Sequence, residues 1–185
     1  MNNWHLNQAA RIILNGGVIA YPTEAVYGLG CLPYDYFAVR RILILKNRPI
    51  HKGLILVAAN VEQLSGYLIF PDETVRRQVL STWPGPVTWV LPARPEVPNW
   101  LRGNHKTIAV RVSNHEVVRR LCEMTGGALV STSANPANRP PARSALKVRD
   151  YFGQSLDYIL QASIGSDRRP TEIRDAHSGK ILRPG

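Results

Sequence analysis

Cysteine is almost missing from this chain of 185 residues: only Cys31 and Cys122 occur, and neither has metal-ligand spacing. A disulfide framework and a zinc site are therefore not implied. No apolar run approaches the roughly 20 residues that span a bilayer. Met1-Asn2-Asn3-Trp4-His5 also lacks the basic start and apolar core of a secretory signal. The expectation is a cytoplasmic protein with no membrane partner. Several catalytic signatures are missing as well. There is no Gly-x-x-x-x-Gly-Lys-Ser/Thr loop, so a Walker-type nucleotide site is excluded. Gly28-Leu29-Gly30 lacks the third glycine of a dinucleotide fingerprint, and no Gly-x-Ser-x-Gly elbow occurs. His5, His51, His105, His115 and His177 are scattered and form no metal pair.

Acidic residues are scarce relative to basic ones. Lys and Arg total 23 against 13 Asp and Glu, a formal charge of +10. That excess favours a polyanionic partner or substrate: RNA, a nucleotide, or both. The cations are spread along the chain, with Lys46, Arg48 and Lys52, then Arg139, Arg143, Lys147 and Arg149, then Arg168, Arg169, Arg174, Lys180 and Arg183. They either converge on one concave face or form a generally basic solvated surface.

The length fits one domain over residues 1–185. Leu6, Ala10, Ile13 and Leu14 have helical spacing, and Gly16-Gly17 stops that helix. Asp35 is placed to cap a second helix that ends near Pro49. Asp72 to Leu80 reads as a third helix. Val18 to Tyr21, Leu54 to Ala58, Val87 to Leu91, Ile108 to Val112 and Ala128 to Val130 read as strands. Ser113 and Glu116 have capping-box spacing before Val117 and Val118. Ser144 to Phe152 reads as a short basic helix, and the tail as terminal strands. The irregular alternation predicts an α/β fold with a mixed sheet.

Four segments share one pattern, in which an apolar element ends and hydroxyl or basic side chains follow at once. They are Pro22-Thr23-Glu24-Ala25-Val26-Tyr27-Gly28-Leu29-Gly30, Lys46-x-Arg48 with Lys52, Pro84-Gly85-Pro86-Val87-Thr88, and Ser131-Thr132-Ser133-Ala134-Asn135. Together they offer cations for phosphate, hydroxyls for ligand hydrogen bonds and an amide. Taken singly, each hydroxyl also suits a turn or strand end, and the basic pair suits a helix C-cap.

In this order, and with Ala109-Val110-Arg111-Val112, Pro170-Thr171-Glu172-Ile173-Arg174-Asp175 and Ile181-Leu182-Arg183-Pro184-Gly185, the segments resemble the YrdC/Sua5 family over nearly the whole chain. The end at Gly185 resembles the short bacterial form. The resemblance implies a twisted mixed sheet flanked by helices, with a basic concave face. It also implies an ATP-dependent nucleotidyltransferase that turns L-threonine, bicarbonate and ATP into L-threonylcarbamoyladenylate and pyrophosphate. The product would serve t6A formation at position 37 of ANN-decoding tRNAs, with partner proteins of the TsaB, TsaD and TsaE type. Lys46 and Arg48 would be catalytic and hold phosphates, with Mg²⁺ sharing that charge. Thr23, Lys52 and Ser133 would bind threonine. Thr88, Arg111, Ser131, Asn135 and Arg143 would line the nucleotide side. One departure from the family pattern is Pro136-Ala137-Asn138-Arg139, where many relatives carry Ser-Gly after the asparagine. Two other readings stay open: a factor that binds tRNA or double-stranded RNA, as in ribosome maturation, and an unrelated ATP-dependent ligase or carbamoyltransferase that retains Lys46 and Arg48.

Overall fold

A computed structural model describes residues 3–167 and 171–185. Arg168, Arg169 and Pro170, part of the charge and tail readings above, lie outside the described residues. Helix α1 (Asn3–Leu14) ends at Gly16, whose φ of 80° is a left-handed value that a side chain would resist. Strands β1 (Ile19–Pro22) and β2 (Tyr27–Gly30) follow, then α2 (Tyr36–Lys46). Asp35 caps α2 as predicted, its carboxylate accepting from the Ala38 N–H at 3.0 Å. The helix closes on Asn47 in the left-handed region. Next come β3 (Ile55–Ala58), α3 (Glu73–Leu80, capped by Asp72), β4 (Val87–Pro92), α4 (Asn99–Arg102) and β5 (Thr107–Val112). The chain continues through α5 (Glu116–Met124), β6 (Leu129–Ser133), α6 (Ala145–Phe152), β7 (Tyr158–Ile159), β8 (Glu172–Asp175) and β9 (Ile181–Arg183).

The strands form one sheet in the order β7-β1-β2-β6-β3-β5-β4-β8-β9. It is mixed, as predicted: β3 pairs parallel with β5 and antiparallel with β6, while β4 is antiparallel to β5 and parallel to β8. Side chains alternate between its faces. Leu56 and Ala58 of β3 join the core under α2, α3 and α6, whereas Val57 joins the core under α1 and α5. Among the described residues no helix is long and apolar enough to cross a membrane.

Two local expectations are corrected. The segment after Pro22 is not a continuous loop, because Tyr27 to Gly30 returns as β2, paired residue for residue with β1. Its glycines serve close approach: a Cβ on Gly30 would lie 2.6 Å from both the Val130 carbonyl oxygen and the Tyr21 ring. The Ser113–Glu116 capping box does not form either. His115 is the N-cap of α5 and makes no side-chain cap bond; the Ser113 oxygen accepts from the His115 N–H at 3.1 Å, outside the helix, while its hydroxyl donates to Glu24 at 2.6 Å.

Candidate active site

The sheet order brings the ends of β1, β3, β5, β6, β8 and β9 around one cleft of about 560 Å³, a size suited to small-molecule ligands. Thr23, Arg48, Lys52, Arg111, Ser131 and Ser133, all nominated from the sequence, line it. Among the described residues, Arg102 and Arg183 bring the arginines and lysines on its walls to five, against the one carboxylate of Asp175. The floor is apolar, with Leu54, Leu101, Ile108 and Ala109. An anion with a flat apolar body fits such a surface.

Each polar wall is held from behind. The Thr23 hydroxyl donates to the Val26 carbonyl at 2.7 Å, which leaves oxygen lone pairs available to a ligand. The Thr23 and Glu24 carbonyls in turn accept from the Gly165 and Asp167 N–H groups at 2.9 and 3.2 Å, so a strap of backbone crosses behind this turn. Gly165 is required there, since a Cβ would lie 2.5 Å from the Glu24 carbonyl oxygen.

Beneath the turn, Glu24 and Arg111 form a buried ion pair at 3.0 Å, their side chains 9% and 6% exposed. Ser113 donates to the other Glu24 oxygen. Arg111 Nη1 donates to Thr171 Oγ1 at 2.7 Å and to Thr88 Oγ1 at 3.3 Å. Its Nε is enclosed and has no partner among the described residues. An unsatisfied buried N–H is costly.

Arg48 Nε and Nη2 donate to the Gly53 carbonyl at 3.1 and 2.9 Å, which aims the guanidinium along the cleft wall. Burial lowers its pKa from the ordinary arginine value, and Arg183 moves the same way through burial and then the nearby Arg111 charge.

Four nominated residues do not line the cleft. Thr88 is wholly buried, with its hydroxyl behind Arg111. Arg143 is exposed and lies off the walls. Asn135 folds its side chain back on its own loop, donating to the Pro136 and Arg139 carbonyls at 3.0 and 2.7 Å. Lys46 is only 5% exposed, and its ammonium points at that loop rather than into the cleft. Burial, then the Arg48 charge, brings it down to about 8. The sequence reading missed Thr171, Asp175, Leu182 and Arg183 as wall residues. Their signal was the tail pattern, whose residues were matched but given no role.

Among the described residues no cluster of three or more His, Cys, Asp or Glu could hold a metal ion. Glu24 is committed to Arg111 and Ser113, and Asp175 Oδ1 accepts from the His177 and Ser178 N–H groups. The donor set does not build a site for Mg²⁺ by itself.

Fold and cleft together define an α/β protein with a basic cleft over an apolar floor at the strand ends of a mixed sheet. The Sua5/YciO/YrdC family model, described as "Telomere recombination", matches residues 11–185, and the chain belongs to that family. It is 56% identical over 181 residues to a threonylcarbamoyl-AMP synthase of Nitrosococcus oceani, covering 98% of both chains. It is 50% identical to the enzyme of the same name from Stutzerimonas stutzeri, covering 100% of this chain and 99% of that one. Among solved structures, Sua5 of P. abyssi complexed with L-threonine superposes with a TM-score of 0.93 at 33% identity. This chain is covered completely and spans 55% of that protein.

Proposed function

We propose that the protein is a threonylcarbamoyl-AMP synthase, making L-threonylcarbamoyladenylate and pyrophosphate from L-threonine, bicarbonate and ATP. The observation that carries this reading is the cleft, where arginine and lysine side chains meet the hydroxyl-bearing turns of Thr23, Ser131 and Ser133 over an apolar floor. Relatives that align over full length and carry that name support it.

The threonine amine adds to bicarbonate-derived CO₂, and the carbamate oxygen attacks the α-phosphorus of ATP as pyrophosphate leaves. Such phosphoryl chemistry depends on alignment and charge neutralisation more than on a covalent nucleophile. Arg48 and Arg183 neutralise the triphosphate, while the apolar floor takes the adenine. The Lys52 ammonium suits the threonine carboxylate, and Thr23 and Ser133 offer acceptor lone pairs to its amine or hydroxyl. The described residues build no site for Mg²⁺ by themselves, and a metal ion carried by ATP would supply counter-charge to its phosphates. The adenylate leaves for transfer to tRNA in the cytoplasm by partner proteins of the TsaB, TsaD and TsaE type.

The test incubates the purified protein with ATP, bicarbonate, Mg²⁺ and labelled threonine, and measures threonine-dependent pyrophosphate and adenylate. Absence of both sinks the reading. Salt-sensitive RNA binding without turnover supports the RNA-binding alternative. Arg48→Ala is expected to raise the KM for ATP about tenfold or more while the protein stays folded, since a charge-assisted phosphate contact is lost.

A further inference from the structure

Lys46 carries a KxR-type position but does not touch the cleft. Its ammonium has three protons and meets three acceptors: the Ser133 carbonyl, the Asn135 carbonyl at 2.8 Å and Asn135 Oδ1 at 3.3 Å. The same residue accepts from the Ala137 N–H through its own carbonyl at 2.9 Å. Asn135 Oδ1 accepts a second proton from the Ser133 hydroxyl at 2.6 Å. With that proton spent, Ser133 turns only lone pairs toward the cleft it lines. If Lys46 left to bind phosphate, two backbone carbonyls at the end of β6 would lose their charged donor.

We propose that Lys46 is a positioning residue: its ammonium fixes the Ser133–Asn135 turn, so that the Ser133 hydroxyl meets the substrate as a hydrogen-bond acceptor. The ligand assigned to Ser133 rests on the proposed synthase function; the tether itself does not. Lys46 thus acts through Ser133, and Arg48 is the phosphate ligand of this motif.

Two measurements test the assignment. Hydrogen exchange compares wild type with Lys46→Met and Arg48→Ala. Lys46→Met should speed exchange over residues 133–139, the Ala137 amide included, by about tenfold or more, with the sheet unchanged and Arg48→Ala without effect there. Unchanged exchange in that segment overturns the proposal. Steady-state kinetics supply the second readout. Lys46→Met should raise the KM for threonine more than the KM for ATP, the reverse of Arg48→Ala. Combined with Ser133→Ala it should lower kcat/KM no further than the worse single variant, because residues acting as a unit are not additive.

A raised KM for ATP alone, or additive effects, would return Lys46 to direct phosphate binding. Should Lys46→Met not fold, Asn135→Ala removes the shared acceptor and should raise the KM for threonine in the same way; an unchanged value overturns the proposal. A wild type without threonine-dependent turnover defeats the proposed function, and the exchange comparison then decides the role of Lys46 by itself.

Discussion

Glu24 and Arg111 show how much a single pair can carry. Neither has water to turn to, and each compensates the other's charge behind the cleft wall. Glu24→Ala leaves a buried guanidinium uncompensated, and a stability loss of about 3–5 kcal/mol is expected in denaturant titration. A residue such as Ser113 could not be read this way from sequence. Its spacing to Glu116 satisfied a helix-capping rule, yet its hydroxyl is claimed by a carboxylate 89 positions away in the chain. Thr23, Arg48 and Ser133 were legible because a hydroxyl or cation directly follows an apolar element. Lys46 was legible as important but not as to direction, since pattern does not say which way an ammonium points.

The lysine also sets a pH dependence. Its folded pKa lies near 8, below the ordinary 10.5, owing first to burial and then to Arg48, the charged group that faces it. Between those values the unfolded chain binds the proton and the folded protein does not, so stability rises with pH across that window. The tether moves in the opposite sense, because a neutral amine has one donor fewer. Activity is therefore expected to fall as pH climbs through about 8 while the melting temperature does not. A pH–rate profile beside a pH series of thermal melts checks both signs.

At the scale of elements, the β1–β2 hairpin separates two uses of glycine. A Cβ on Gly28 would meet the Ser131 hydroxyl and the Thr23 methyl at 3.3 Å and the Thr132 carbonyl oxygen at an ordinary 3.6 Å, beside the cleft. A Cβ on Gly30 would press into the Val130 carbonyl and the Tyr21 ring. Gly30→Ala is expected to cost about 1–3 kcal/mol by overpacking, whereas Gly28→Ala should raise substrate KM with little change in melting temperature. Thermal melts and kinetics on the two variants distinguish the cases. Helix starts were readable from Asp35 and Asp72 because a carboxylate cap is a local device. β2 was not, since a strand holding two glycines in four residues has the composition of a loop and owes its form to pairing with β1 and β6.

For the whole molecule, charge and topology act together. The net charge of +10 and the cations on the cleft walls draw anionic substrate inward, so kcat/KM for ATP should fall steadily between low and physiological salt as the field is screened over about 10 Å. A series in sodium chloride measures this, and a flat response would confine the charge effect to direct contacts. The mixed sheet was legible because strand-like runs alternate irregularly with helices. The neighbour order was not, since β6 inserts between β2 and β3, and β8 reaches back to β4. That order has a consequence in time. Thr23 and Ser133 line the cleft together with Thr171 and Arg183, so a nascent chain leaving the ribosome at roughly 5–20 residues per second carries an incomplete cleft until β8 and β9 emerge. The growing polypeptide can bury its first helices and hairpin early, yet the cleft walls are complete only once β8 and β9 have been made.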